Sequence, residues 1–118
     1  MANDFKRICT PSIGTSLTTI YGVPAGAGST ALETIVIGIT MANKTTSGVT
    51  ASIYIDNEDG SNDVYIVKDA SIPAGSSLEV MAGNKLVLMN DGSNADNLEA
   101  LASATSSVDV TVSVLEDV

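Results

Sequence analysis

Apolar and polar residues alternate along several short stretches of this sequence, and residues 107–115 show the pattern most clearly. Valine occupies every second position from Val108 to Val114, and Asp109, Thr111 and Ser113 occupy the positions between. A period of two is typical of a β-strand, whose successive side chains point to opposite faces of a sheet. The stretch therefore predicts a strand with one buried face and one face toward water.

Further runs with the spacing of strands occur at residues 17–23, 34–41, 49–55, 63–68, 78–81 and 85–89. Seven or eight short strands, spaced about ten residues apart, predict an all-β fold, an antiparallel β-sandwich of jelly-roll type. The predicted core consists of the apolar members of these runs: Ile35, Ile37, Ile39, Ile53, Ile55, Leu78, Val80, Leu86, Leu88, Val108, Val110, Val112 and Val114.

Turn residues support this division into strands. Residues 57–60, Asn-Glu-Asp-Gly, predict a hairpin turn in which Gly60 adopts a positive φ, and Asp91-Gly92 predicts a second turn. Residues 96–104 contain good helix formers, with Leu98 and Leu101 three positions apart. The sequence does not decide whether this segment forms a strand or a single helical turn.

Composition narrows the kinds of partner. Hydrophobic residues make up 44% of the 118 residues but aromatic residues only 3%, so the core is expected to be aliphatic. A net charge of −9 disfavours nucleic acid as a partner, because the phosphate backbone would be repelled. It favours solubility at high concentration, and docking onto a basic partner is the alternative. The single cysteine, Cys9, excludes an internal disulfide.

The sequence shows no signal for secretion or for insertion into a membrane. The first residues, MANDFKRIC, lack the apolar run of a signal peptide, and no stretch reaches the roughly 20 apolar residues that span a bilayer. We therefore expect synthesis in a cytoplasm and no membrane partner.

Catalytic chemistry is not indicated. The sequence contains no histidine, which removes the commonest general base and transition-metal ligand, and no phosphate-binding glycine motif is present. The acidic stretch 56–63 invites a calcium interpretation, but placing Gly60 sixth in a calcium loop puts isoleucine where carboxylates are required. A solvated hairpin tip is favoured. The sequence thus predicts no enzyme, no cofactor and no metal site.

Several segments resemble small virion proteins of tailed bacteriophages, especially those of marine and cyanobacterial phages. The resemblance covers nearly the whole chain, although each motif consists of turns and strands rather than chemistry. It implies a β-sandwich with a structural role, present in several copies per particle, with no activity whose residues could be transferred. The segments that carry it are residues 2–7, 23–26, 35–46, 72–87 and 108–116.

Residues 1–12 are interpreted as an N-terminal segment or arm, and residues 13–118 as a single β-sandwich domain. Phe5, Lys6, Arg7 and Ile8 are the candidate interaction residues, because an arm could insert its apolar groups into a neighbour while its cations meet acidic surface. The alternative is an edge strand on the protein's own sandwich.

The resulting hypothesis is a multi-copy capsid decoration (cement) protein or a tail- or neck-associated subunit, in contact with major capsid or tail subunits in the virion. The competing hypothesis is a module that binds a receptor or carbohydrate through residues 56–63 and 92–97.

Overall fold

The protein is an all-β sandwich. The computed structural model describes residues 3–81 and 85–117, and within these ranges it contains nine strands and no helix. The strands are β1 Asn3–Ile13, β2 Thr18–Gly22, β3 Leu32–Asn43, β4 Val49–Asp56, β5 Val64–Ile72, β6 Ser77–Glu79, β7 Leu86–Asn90, β8 Asn97–Ala102 and β9 Val108–Asp117.

Two antiparallel sheets form the layers of the sandwich. In the first sheet the strand order is β1-β9-β3-β6, and β7 pairs with another part of β3. Strands β7 and β6 lie end to end along β3, opposite Leu32–Val36 and Thr40–Ala42 respectively. The second sheet has the order β2-β8-β4-β5. No part of the described chain forms a helix suited to crossing a membrane.

The core between the sheets is aliphatic, as the composition predicts. Ile39, Ile53, Leu88 and the four valines of β9 are all buried, and Tyr21 is the only aromatic side chain among the buried core residues that the structure describes. Ile55, Leu78, Val80 and Leu86 pack against this core while remaining partly exposed. The predicted alternation of β9 is therefore confirmed.

A β-bulge in β3 overturns part of the predicted core. The register of β3 against β9 shifts between Val36 and Gly38, so Ile37 has no partner of its own on β9. One extra residue reverses the face on which each side chain lies. Before the bulge the even positions such as Val36 are buried, and after it the odd positions such as Ile39 are buried. Ile35 and Ile37 consequently lie on the outer face, and Ile37 is 44% exposed.

Two segments without a clear period also form strands. Residues 96–104, where a helical turn was an open alternative, contain β8, because Leu98, Ala100 and Ala102 pack inward. The N-terminal segment contains β1, which pairs with β9 from Asn3 opposite Asp117 to Thr10 opposite Val110. Of the two alternatives for this segment, the structure contains the edge strand.

The predicted turns occur, but they differ in what they join. Asn57 to Gly60 closes the β4–β5 hairpin, with Gly60 at φ 77°. The Asp91-Gly92 turn instead carries the chain from β7 in the first sheet to β8 in the second. Gly92 has φ 100°, and a Cβ there would approach the Ser29 carbonyl oxygen to 2.6 Å, so this turn requires glycine.

Replacing Val112 with aspartate should destabilise the fold strongly. Val112 is fully buried on the central strand of the first sheet, and an unpaired carboxylate there should cost about 3 kcal/mol or more. Urea denaturation measures the change. Thr111→Asp is the matched control, because Thr111 is exposed on the adjacent position of the same strand. Equal stability of the two variants would contradict the assignment of faces.

Candidate assembly surface

The N-terminal strand β1 divides its candidate interaction residues between two faces. Phe5 and Arg7 lie opposite Leu115 and Ser113 of β9 on the outer face, and Phe5 is 73% exposed. Ile8 packs against the core, and Lys6 turns toward buried Glu116. Only Phe5 and Arg7 are thus presented outward. Contact of these residues with another subunit stays a prediction.

Lys6 is held by a buried polar network that links the two sheets. The Lys6 Nζ lies 2.9 Å from one carboxylate oxygen of Glu116, whose side chain is only 2% exposed. The Tyr21 hydroxyl donates to the other carboxylate oxygen at 2.6 Å, and it lies 2.9 Å from the Thr34 hydroxyl. Since the Tyr21 proton is given to Glu116, Thr34 is the donor in the second bond. Both oxygens of the buried carboxylate are therefore satisfied.

The sequence contains one signal for this network, which is the position of Glu116 in the alternating series of β9. Glu116 follows Val114 by two positions, so it falls on the buried face of β9. A carboxylate that continues the alternating series of buried valines is itself expected to be buried. It then requires a hydrogen-bonding partner, because an unpaired buried charge is strongly unfavourable. Neither Tyr21 nor Lys6 could be identified as that partner without the packing of β2 and β1 around β9.

The network shifts the ionisation of its donors. Burial, together with the bond to Glu116, raises the pKa of Tyr21 well above its ordinary value of 10.0. The hydrogen bond and charge of Glu116 raise the pKa of Lys6 above 10.5. Both proton donors consequently remain protonated throughout the physiological pH range.

An apolar row crosses the outer face of the first sheet. Phe5 lies opposite Leu115, Leu115 lies opposite Ile35, and Ile35 lies opposite Val87, so one side chain from each of β1, β9, β3 and β7 falls on a single line. We call these four residues the apolar row. Ile37 and Met89 extend it, and four of the seven exposed large hydrophobic side chains of the described chain are on this face. Leu115, Ile35 and Val87 also line a shallow depression of about 400 Å³.

The acidic loops use their carboxylates to hold local backbone. Asp59 accepts the backbone N–H of Ser61, and Asp91 accepts those of Ser93 and Asn94. The hydrogen bond from the Asn62 side chain, followed by the one from the Ser61 backbone, lowers the pKa of Asp59. The bonds from the Asn94 and Ser93 backbone lower the pKa of Asp91. In the part of the chain that the structure describes, no group of three or more acidic or cysteine side chains is arranged to hold a metal ion.

Asp96 connects the two acidic loops to the body of the sandwich. It is buried, and its two oxygens accept the backbone N–H groups of Glu58 at 2.7 Å and Met89 at 2.9 Å. The loop that follows β4 is thereby fixed to β7. Glu58 is also close to Asp91, and desolvation followed by this like charge raises the pKa of Glu58.

Two tyrosines meet on the outer face of the second sheet, which the low aromatic content did not predict. Tyr54 and Tyr65 are paired across β4 and β5, with ring centroids 5.0 Å apart in an edge-to-face arrangement. The Tyr54 hydroxyl donates to Asp63 at 3.0 Å, and this bond raises the pKa of Tyr54. Lys68 Nζ lies 5.1 Å from the centre of the Tyr65 ring.

Comparisons with known proteins yield structural neighbours only. No family model matches the sequence, and no curated protein matches it either. A chain from Bacillus endospore appendages, described as disulfide-linked pili, is 14% identical with a TM-score of 0.49, and the match covers 97% of this chain and 86% of that one.

Two further neighbours come from infectious bursal disease virus. A chain of the Gt strain is 13% identical with a TM-score of 0.46, and a chain of the T13 viral particle is 13% identical with a TM-score of 0.45. The matches cover 96% and 98% of this chain but only 30% and 39% of the viral chains. The neighbours come from assembled particles and appendages. At these identities and TM-scores, however, the role of this chain has to be argued from its own residues.

Tyr21→Phe should destabilise the fold by about 1–3 kcal/mol, because it leaves buried Glu116 without its hydroxyl donor. Tyr21 and Lys6 have raised pKa values when folded, so their stabilisation is complete below pH 10 and is lost as the pH rises through the folded values. The wild type should therefore weaken at strongly alkaline pH, and Tyr21→Phe should weaken less steeply. Urea denaturation at neutral and alkaline pH tests both points.

Tyr54→Phe is the matched control for this change, because the Tyr54 hydroxyl bonds to Asp63 at the surface. It should leave stability at neutral pH nearly unchanged. Equal losses for the two tyrosine variants would show that the network between the sheets has no special importance.

Calcium should not stabilise the acidic loops. Their carboxylates already accept local backbone N–H groups, so we expect a rise in Tm of no more than about 3 °C in excess calcium. Differential scanning calorimetry with calcium and with a chelator measures the difference. A calcium-dependent rise of about 10 °C or more, abolished by Asp59→Ala, would instead establish a bound ion.

Proposed function

We propose that this protein is a non-enzymatic structural protein of a tailed-bacteriophage virion. It is present in many copies, as a capsid decoration (cement) protein or as a tail- or neck-associated subunit, and it acts through contacts with major capsid or tail subunits and with its own copies. The observation that carries the proposal is the apolar row, in which exposed Phe5 and Val87 flank half-buried Leu115 and Ile35 along the outer face of one hydrogen-bonded sheet.

The apolar row supports an assembly role because its geometry is fixed before any partner arrives. Each of its residues lies on a strand that is hydrogen-bonded to its neighbour, so docking would order few additional groups and would lose little entropy. Apolar side chains in the centre of a surface and charged groups at its margin are typical of protein interfaces. The resemblance of the sequence to small phage virion proteins supports the same role.

The chemistry of the chain supports a role without catalysis. The sequence has no histidine, and the loop carboxylates of Asp59, Asp91 and Asp96 accept backbone hydrogen bonds that shape their own turns. Groups engaged in this way are poorly placed to transfer protons to a substrate. A net charge of −9 also favours protein partners over nucleic acid.

Analysis of purified particles tests this function. Quantitative mass spectrometry of virions from the source phage should find the chain at a fixed stoichiometry to the major capsid or tail protein. A cryo-electron map of the same particles should contain the sandwich at a repeated position, with the apolar row covered. Abundant synthesis in infected cells together with absence from purified virions would contradict the proposal.

The tyrosine pair favours a second candidate, a module that binds a receptor or carbohydrate. Tyr54 and Tyr65 lie beside the acidic hairpin tip at Asp63, and aromatic rings with nearby hydrogen-bonding groups can form a sugar-binding surface. Glycan-array binding that Tyr65→Ala abolishes would favour this function. Leu17→Ala, at an exposed apolar residue elsewhere on the surface, is the control.

A further inference from the structure

The charged residues on the two sides of the apolar row differ in net charge. On one side Asp117 and Glu33 lie two residues beyond Leu115 and Ile35, next to the shallow depression. On the other side Arg7 lies two residues beyond Phe5, opposite Ser113. Lys85 lies two residues before Val87, on the same side as Arg7 because β7 runs antiparallel to β3. The carboxylate of Glu79, which accepts the Thr40 hydroxyl and lies over Gly38 opposite Ser113, is also on this side. One side of the row, the acidic margin, therefore carries two carboxylates, and the other side, the basic margin, carries two cations and one carboxylate.

The two basic residues of this margin differ from the other cations. Lys6 pairs with Glu116, Lys44 pairs with Asp109, and Lys68 pairs with Asp69. Among the residues that the structure describes, Arg7 and Lys85 form no ion pair within the chain. The two cations without an internal partner thus both border the apolar row, although the chain has only five basic residues.

We propose that the apolar row is the contact surface for a second copy of this chain, with the two copies related by a two-fold axis that runs along the row. This inference deepens the proposed function and rests on it. Rotation about such an axis places the row of one copy on the row of the other. It also places the basic margin, with its net positive charge, over the acidic margin of the partner. Arg7 and Lys85 of one copy then lie one strand away from Asp117 and Glu33 of the other, within reach of long side chains, and Glu79 also comes near Glu33.

Other symmetric arrangements are less favourable. A two-fold axis parallel to the strands would also stack the two rows, but it would place acidic margin on acidic margin and basic margin on basic margin. Like charges that face each other oppose association, so the margins select the first axis. Because that axis reverses the strand direction, the two sheets would pack face to face with aligned strands, at a spacing of about 10 Å.

Edge-to-edge pairing of β1 is opposed by its sequence. Pro11 lies in β1 and offers no N–H to a neighbouring strand, and Ser12 has φ 60° where the register with β9 shifts. Proline and bulges are devices that protect sheet edges from pairing with further strands. The outer face, rather than the edge, is the surface that this strand presents to another copy.

Sedimentation equilibrium over a wide range of protein concentration tests the inference. Each copy carries a net charge of −9, so the measurement needs at least physiological salt to screen the overall repulsion. The wild type should dimerise reversibly. Phe5→Ser should weaken dimerisation by about tenfold or more, because the largest and most exposed apolar side chain of the row is lost from both copies. Leu17→Ser is the control, since Leu17 is also exposed but lies outside this face.

Charge reversal identifies the axis. Arg7→Asp and Asp117→Arg should each weaken the dimer by about tenfold, and the double variant should recover to within about threefold of wild type. Recovery cannot come from a contact inside one chain, because Ser113 opposite Arg7 is four residues from Asp117, or about 13 Å along the strand. Lys68→Asp, with the same change in charge on the second sheet, should leave dimerisation unchanged. Circular dichroism and Tm establish that every variant is folded.

The outcomes separate this inference from the proposed function. A wild-type chain that stays monomeric at all concentrations overturns the dimer, even if the protein is abundant in virions. If that monomer also loses incorporation on Phe5→Ser, the row binds another virion protein, and the inference fails while the proposed function stands. If the chain forms a dimer with the expected mutational response but is absent from virions, the dimer is established and the proposed function fails. Failure of the double variant to recover overturns the proposed axis.

Discussion

Strand β9 sets the register of the first sheet, because it pairs with β1 on one side and with β3 on the other. Its four valines all point into the sandwich, and a shift by one residue would expose them and bury Asp109. The register of β1 and of β3 is therefore fixed by the burial of the β9 valines. The alignment of Phe5 and Ile35 on either side of Leu115 follows from the same register. The outer surface is thus a consequence of the inner packing.

The buried network around Glu116 adds a polar constraint to this apolar one. Tyr21 reaches from the second sheet to Glu116 and Thr34 in the first, while Lys6 approaches the same carboxylate from β1. A buried carboxylate is tolerated only when its hydrogen bonds are complete, so the positions of three strands around it are specified together. Because Lys6 is held inward, Phe5 and Arg7 on either side of it must face outward. The alternation of β1 that presents the apolar row is therefore anchored from inside.

The sequence was sufficient for the fold class and for most strands, because strict alternation in β9 and the turn residues near Gly60 are local signals. It was not sufficient for β3, where a single bulged residue at Ile37 reverses the faces. Gly38, directly after Ile37, is a residue type that often marks a bulge within a strand, but the alternation of the isoleucines obscured this sign. Strand β8 contains alanines and leucines that favour a helix in isolation, and the tertiary packing of Leu98 overrides that preference. Strand β1 has no visible period because apolar Phe5 lies on the outer face, while Lys6, although 47% exposed, lies on the opposite face and reaches Glu116.

The candidate site could be predicted only in part for the same reason. Phe5 and Arg7 were identifiable as an unusual pair near the N-terminus, but Ile35 was expected in the core, and nothing local placed Val87 beside it. The apolar row exists because the bulge turns the first half of β3 around, so that Thr34 enters the core to meet Tyr21 while Ile35 faces outward. A polar residue inside and an apolar residue outside result from one register change. The register that turns Ile35 outward also buries Leu32 and Val36, so the first half of β3 exchanges one set of apolar core residues for another, and its outward-facing isoleucine follows from the same constraint that brings Thr34 to Tyr21.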